Sequence, residues 1–301
     1  MTLSTRLRLW FKHAAPALPI VPVDDPHDAL VFERCTQPRI SIVIPVHDHW
    51  PITHQCMRAV LEHTARDDFE VILADDHSSD DTLRATSVVA NLRLVRQDER
   101  TGFIRNCNDG TRVARGELLV LLNNDTVVQP GWLDALVDTM DDDSGIAIAG
   151  AKLVHPDGRL QEAGGLVSGD GSAVRRGHGE DPASPDHNVA ADTDYVSACC
   201  LIVRSSLWHD IGGFDERYSP GYYEDVDLAF SARARGFRVV YQPRAVVMHY
   251  EGLTYGRDRS AGIDEIVSVN REAFREKWAS VLESDFGGGA VNDVLSELPA
   301  R

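Results

Sequence analysis

The sequence predicts an open, mostly parallel α/β sheet flanked by helices. Three observations carry this. Short, mostly apolar runs recur at 39–46, 69–74 and 117–122, the first rich in β-branched residues, as in strands covered on both faces. Helical segments fall between them, the alternation that builds a parallel sheet. Two of the runs break into polar acidic clusters, Asp75-Asp76 and Asn123-Asn124-Asp125, and such sheets bind ligands beyond the carboxyl ends of their strands.

Residues 14–39 are rich in proline and acid and read as an extended lead-in. Order is expected from Arg39-Ile-Ser-Ile-Val-Ile-Pro-Val46, followed by a helix over 51–65 with Cys56, Val60 and Leu61 on its apolar stripe. Strands follow at 69–74 and 91–95. A helix over 103–115 is expected to close at Gly116, and a fourth strand spans 117–122. The second half reads as a helix over 132–140 and a strand over 146–153. Next comes a connection over 155–190 dense in Gly, Pro, Asp and His, and connections of that length in compact domains are functional or mobile. A strand over 194–204, a helix over 225–235 ending at Gly236 and a strand over 237–241 complete the core. Phe274, Trp278 and Leu282 repeat every four residues, the stripe of a terminal amphipathic helix. Gly287-Gly-Gly289 separates it from a tail. The expected organisation is thus a lead-in over 1–38, one domain over 39–285 and a flexible tail over 286–301. Within the domain, 39–127 forms a first half, 128–260 a second, and 261–285 the last helix.

With 43% hydrophobic and 26% charged residues the chain is an ordinary globular protein. A formal net charge of −17 repels phosphate backbones and argues against nucleic-acid binding. An anionic nucleotide can still bind where a metal ion or donor cluster reverses the local potential. Cys35, Cys56, Cys107, Cys199 and Cys200 are odd in number and contain no C-x-x-C pair, so neither a disulfide framework nor a zinc site is indicated. A reducing, cytoplasmic compartment fits this usage best. Residues 1–13 carry Arg6, Arg8 and Lys12 among Leu3, Leu7, Leu9, Trp10 and Phe11. That composition suits an interfacial helix at the inner face of the cell membrane; a frayed terminus or a helix packed on its own domain is the blander reading and the favoured one.

Four constellations could carry chemistry. Asn124-Asp125 at a strand end can take a hard cation that clamps diphosphate oxygens, though Asn and Asp are also turn residues. Asp75-Asp76, with Ser78 following, reads either as a helix-capping turn or as a carboxylate for a pyrimidine N–H with hydroxyls on the ribose side. Tyr222-Tyr-Glu-Asp-Val-Asp227 opens a helix. Acids gain there from the helix dipole, yet three in four residues exceed what capping needs, and one carboxylate can serve as a general base. Asp225 and Asp227 point apart on a helix, so one of them is structural. His249 follows the apolar run Ala245–Met248; it reads as a satisfied core or surface residue, or as a metal ligand beside a bound diphosphate.

In this order the pieces resemble the inverting family-2 glycosyltransferases of the GT-A fold, over roughly residues 39–282. Ile42-Val-Ile-Pro-Val46 is similar to the family's opening strand, and Asp75-Asp-His-Ser-Ser-Asp-Asp-Thr82 to its "DDGSSDGT" nucleotide loop. Gly102-Phe-Ile-Arg-Asn-Cys-Asn-Asp-Gly110 resembles its third motif, and Leu121-Leu-Asn-Asn-Asp-Thr126 its metal-binding "DxD" segment. Gly150-Ala-Lys-Leu-Val-His-Pro-Asp-Gly158 with Gly164-Gly165 resembles a hairpin of one bacterial branch. Gly212-Gly-Phe-Asp-Glu216 and Tyr223-Glu-Asp-Val-Asp227 resemble the acceptor-side and catalytic-base motifs.

The resemblance implies a hexosyltransferase-type enzyme with residues 39–127 as its nucleotide-binding half and 128–260 as its acceptor and catalytic half. It would move sugar from a UDP- or dTDP-sugar to an acceptor hydroxyl on a glycan or lipid-linked acceptor, in surface polysaccharide or glycoconjugate synthesis. Mn²⁺ or Mg²⁺ would be held by Asp125, with His249 as a further ligand. Asp225 would be the base and Glu224 would position the acceptor. Pro45, Val46, His47, Asp75, Asp76, Ser78, Arg105, Asn108 and Asn124 would bind the nucleotide. His47 stands where the family has a stacking aromatic, His77 where it has a glycine, and Asn123 where it has the first acid of "DxD". A nucleotidyltransferase and a non-catalytic carbohydrate module are the rival readings. The first wants a Gly-rich basic loop after strand one, where this chain has His47-Asp-His-Trp50. The intact acids oppose the second.

Overall fold

The computed structural model describes residues 25–251 and 263–285. The amphipathic start expected over 1–13 and the tail expected from 286 lie outside the described residues. The elements run β1 (Leu30–Val31), β2 (Ile40–Val46), α1 (Trp50–His63), β3 (Phe69–Asp75), α2 (Ala85–Val88), β4 (Val89–Ala90), β5 (Arg93–Arg96) and α3 (Phe103–Arg112). Then come β6 (Leu118–Leu122), β7 (Thr126–Val128), α4 (Trp132–Asp142), β8 (Ile146–Val154), β9 (Leu160–Glu162), β10 (Gly165–Val167), β11 (Ala173–Arg175) and β12 (Ala191–Asp192). The last are β13 (Cys200–Arg204), α5 (Ser205–Ile211), α6 (Glu224–Arg233), β14 (Arg238–His249) and α7 (Ile263–Asp285).

The main sheet follows the path β12-β14-β8-β13-β6-β2-β3-β5, with β7 attached to β14 and β9 to β8. β6, β2, β3 and β5 are parallel neighbours, as are β8 and β14, while β13 enters antiparallel between β6 and β8. Every residue of β2, β3, β6 and β8 is buried, which is why these strands are mostly apolar along their length and do not alternate. On one face Ile42 and Ile44 pack with Trp50, Met57 and Val60 of α1 and Trp132 and Leu136 of α4. On the other, Val43 and Ile72 pack with Ile104 of α3, Trp208 of α5, Phe230 of α6 and Phe274 of α7. Each such side chain contributes about 1.5–3 kcal/mol when fully buried.

The strand expected over 91–95 begins at Arg93 because Asn91 turns the chain with φ 61°. The helix α3 ends at Arg112, and Gly116 serves another purpose than closing it. A Cβ there would lie 2.6 Å from the Ser41 nitrogen, so the missing side chain lets the chain cross close against β2. Gly236 does follow the helix it was expected to end, with φ 81° and its N–H on the Arg233 carbonyl at 2.9 Å. The strand expected over 194–204 starts only at Cys200, leaving 194–199 as a bend. β14 continues to His249 across a register shift between Gln242 and Val246. The 155–190 connection holds β9, which extends the main sheet, and the β10–β11 hairpin. The helix α7 docks as its stripe predicted, with the Phe274 and Trp278 rings 4.9 and 5.6 Å from Phe230.

Candidate active site

β2, β3 and β6 end along one edge of the sheet, at Val46, Asp75 and Leu122, and β13 begins there with Cys200 opposite Leu122. The loops after β2 and β3 are bonded to each other. Asp48 Oδ1 accepts the Ser79 N–H at 2.7 Å, Ser78 Oγ accepts the Asp48 N–H at 2.8 Å, and Asp80 accepts the Trp50 N–H at 2.8 Å. This lacing forces His77 to φ 60°, the left-handed conformation for which the resembled motif carries glycine. Pro45 and Val46 are buried at the strand end, and the half-buried His47 ring sits with Nδ1 2.7 Å from the Asp76 carbonyl oxygen.

The two aspartates have separate roles. Asp75 is wholly buried, accepts the Ser78 N–H at 2.8 Å and is ion-paired with Arg96. Asp76 faces the N-terminus of α3, where it accepts the Gly102 N–H at 2.9 Å and the Thr101 hydroxyl at 3.0 Å. An anion there gains from the helix dipole. A nucleobase N–H would use one of its remaining lone pairs.

Asp75 and Ser78, expected at the nucleotide, are buried and hold the turn. Asn108 is buried as well, clamping Phe214 through its carbonyl at 2.9 Å and its N–H at 2.9 Å. Arg105 is exposed and pairs with Glu216 at 2.8 Å, and Asn124 donates to the Thr53 hydroxyl at 2.9 Å. Spacing alone does not show these contacts within the fold.

Asp125 and His249 lie far apart in sequence and meet because β14 pairs antiparallel with β7, His249 opposite Thr126. His249 Nε2 is 3.1 Å from Asp125 Oδ1, and the Tyr250 N–H donates to the Asp125 carbonyl at 3.0 Å. The other ring nitrogen lies 3.0 Å from the Gln161 amide, the kind of outer contact that fixes a ligating imidazole. Asn123 Oδ1 is buried beside them with no hydrogen-bond partner. Among the described residues no cluster of three His, Cys, Asp or Glu side chains forms a closed metal cage. One carboxylate and one imidazole suit an open divalent site whose shell is completed by phosphate oxygens and water.

Left-handed Tyr222 and Tyr223, at φ 72° and 75°, start α6 abruptly at Glu224. Glu224 is buried with Oε2 unpartnered, and burial first, then the Asp225 charge, pushes its carboxyl well above the usual range. Asp225 is also raised by burial, while its oxygens accept the Ala198 N–H at 3.1 Å and the Val226 N–H at 2.8 Å. Asp227 is the structural acid: Tyr218, Lys277 and Trp278 all donate to it.

The bend 197–199 ties these parts together. Ala198 binds Asp225, the Cys199 carbonyl accepts the Asn123 N–H at 2.8 Å, and Ser197 donates at 3.0 Å to Glu162. On the other side, Cys107 of α3 lies within electrostatic reach of both Asp76 and Glu224. Glu162 was not expected. It is 2% exposed, and burial followed by the Asp225 charge pushes its carboxyl up to about 7. Its one sequence signal was its place just before Gly164-Gly165 in the hairpin segment.

The model of the family described as "Glycosyl transferase family 2" matches residues 41–208. The O-antigen biosynthesis protein RfbC of Myxococcus xanthus is 31% identical over 73% of this chain and 18% of its own length. The N-acetylglucosaminyl-diphospho-decaprenol L-rhamnosyltransferase of Mycobacterium tuberculosis is 29% identical over 62% of this chain and 68% of its own. The crystal structure of GalNAc-T7 with UDP, GalNAc and Mn²⁺ superposes with a TM-score of 0.64 at 17% identity, over 83% of this chain and 50% of that one. Two of the curated relatives are more than three times as long as the stretch they share with this chain, which spans 29% and 18% of them.

Proposed function

Since this chain belongs to glycosyl transferase family 2, with the GT-A fold, we propose that it transfers a sugar from a UDP- or dTDP-sugar to an acceptor hydroxyl, with inversion and with Mn²⁺ or Mg²⁺. The observation that carries this is the edge where the Asp125–His249 pair and Asp225 are bonded to one bend, through Asn123 and Ala198. Asp125 and His249 would hold the cation, which would neutralise charge on the departing diphosphate. Asp76 and His47 border the base. Asp225, ionised by two N–H donors despite its burial, takes the acceptor proton as the acceptor oxygen bonds to the anomeric carbon. The bond from that carbon to the diphosphate breaks in the same step. Glu224, kept neutral by burial, donates a hydrogen bond to the acceptor.

An imidazole ligand favours Mn²⁺ over the harder Mg²⁺, and the GalNAc-T7 structure contains Mn²⁺. The names of the relatives, O-antigen biosynthesis and a diphospho-decaprenol rhamnosyltransferase, support a lipid-linked or polysaccharide acceptor. Among the described residues no helix is long and apolar enough to cross a membrane.

The test is thermal unfolding against UDP-, dTDP- and GDP-sugars with Mn²⁺, Mg²⁺ or chelator, for the wild type and Asp125→Ala. A ligand at a hundred times its Kd adds about 2.7 kcal/mol. The wild type should gain stability from a UDP- or dTDP-sugar only with metal, and Asp125→Ala should lose that gain. Equal gains with and without metal would remove Asp125 from this role, and no gain from any nucleotide would remove the function.

A further inference from the structure

Glu162 is a buried acid for which the proposed chemistry has no use. It reaches the site from β9, inside a connection whose composition reads as loop, and lies beside Asp225 for a definite reason. Consecutive backbone amides bind the two: Ser197 N–H donates to Glu162 Oε1 at 3.0 Å and Ala198 N–H to Asp225 Oδ2 at 3.1 Å. Adjacent N–H groups of one bend thus bring two carboxyls together away from water. Two like charges so placed do not both ionise readily. Their hydrogen bonds differ, because Asp225 also accepts the Val226 N–H at 2.8 Å, so the negative charge settles first on Asp225.

We propose that Glu162 is a positioning residue for Asp225: it fixes the Ser197–Ala198 bend against the base and forms with it a coupled pair that carries a single negative charge, on Asp225, while the acceptor hydroxyl is deprotonated. This rests on the reading of Asp225 as the base. In the resting pair Glu162 holds its proton. Asp225 accepts the acceptor's proton, the acceptor oxygen bonds to the anomeric carbon, and the electron pair of the broken bond leaves with the diphosphate. The pair then holds two protons and releases one to solvent. Had both carboxyls been ionised, the departing diphosphate would meet a second negative charge, and the bend would be strained by repulsion.

Other groups face the pair. Arg175 and His249 act to lower Glu162, and Arg175 is itself paired with Glu251 at 2.8 Å. The buried Tyr195 and Tyr241 phenols lie within reach of Glu162, Tyr195 and Tyr223 within reach of Asp225, and Glu224 stands against Asp225 from its own helix. None of them supplies a second donor to the Glu162 carboxyl that would let it ionise in place of Asp225. The value of about 7 for Glu162, set by burial and by Asp225, agrees with this order of charging.

The experiment reads the protein alone. Glutamate is labelled with ¹³C at the side-chain carboxyl, and its resonances are followed by NMR against pH in the wild type, Asp225→Asn and Glu162→Gln. A resonance titrating near pH 7 should be present in the wild type and missing from Glu162→Gln. In Asp225→Asn its midpoint should fall by about one pH unit, since a neighbouring like charge has been removed. An unchanged midpoint would overturn the coupling and leave Glu162 a purely structural residue. If Glu162→Gln does not fold, the shift on adding Asp225→Asn is read on a Glu224→Gln background, which removes the other glutamate raised by burial and by Asp225; exposed glutamates titrate at about 4 and do not overlap. Nucleotide release from a UDP-sugar by Asp225→Asn separates the two ideas. Undiminished release removes Asp225 as the base, whereas lost release with an unmoved midpoint removes only the pairing.

Discussion

Replacing Asp227 by alanine removes the joint between α6 and α7. Three donors converge on this carboxylate: the Tyr218 hydroxyl at 3.0 Å, the Lys277 ammonium at 2.8 Å and the Trp278 indole N–H at 2.8 Å. Asp227 is 2% exposed and Tyr218 wholly buried, so water does not readily replace the lost acceptor. A buried donor left unsatisfied costs about 1–3 kcal/mol, which for the phenol and indole together gives about 2–6 kcal/mol. Lys277 is a quarter exposed and keeps Asp215 at 2.9 Å, so it adds less than about 1 kcal/mol. The expected loss is therefore about 2–7 kcal/mol, a large part of the roughly 5–15 kcal/mol typical of a domain. Urea unfolding followed by far-UV circular dichroism measures it, with an unchanged slope showing that the folded state keeps its compactness. A loss below about 1 kcal/mol would refute the reasoning, because the three donors would then have other partners.

Asp225→Asn should lower kcat by about 10²–10⁴ while leaving donor affinity intact; near-normal turnover would be the contrary result. His77→Gly should raise the melting temperature slightly, through about 0.5–1 kcal/mol, because relief of the left-handed backbone exceeds the added freedom of the unfolded chain; a lower melting temperature would count against it. The Glu162 carboxyl, raised from 4.5 to about 7 in the folded chain, binds its proton more tightly there than when unfolded. Its stabilising contribution is complete below pH 4.5 and is lost as pH climbs through 7, to an extent of roughly 3 kcal/mol. Glu162→Gln carries no such proton, so its unfolding free energy should fall less between pH 5 and pH 8 than that of the wild type. Parallel losses in both proteins would contradict that sign.

The sequence by itself determined the parallel sheet, because strands covered on both faces are mostly apolar, and 40–46, 69–75 and 118–122 are, with Ser41, Glu70 and Asp75 the exceptions. It also determined that the acids after those strands gather at one edge, since parallel strands end on the same side. The stripe Phe274, Trp278, Leu282 announced a docked helix for the same reason of exclusion from water. Tertiary structure alone decided which acid does what. Asp75 and Asp76 are neighbours of identical chemistry, and only the Arg96 pairing of one and the Gly102 amide facing the other separate them. His249 became the partner of Asp125 through the register of β14 on β7, which depends on two strands distant in sequence. Glu162 lay hidden in a connection rich in glycine and proline, because its burial comes from the 197–199 bend and not from any periodicity of its own. Periodicity records which face of an element avoids water. The proton affinity and reach of a carboxylate depend on neighbours that only the folded chain assembles.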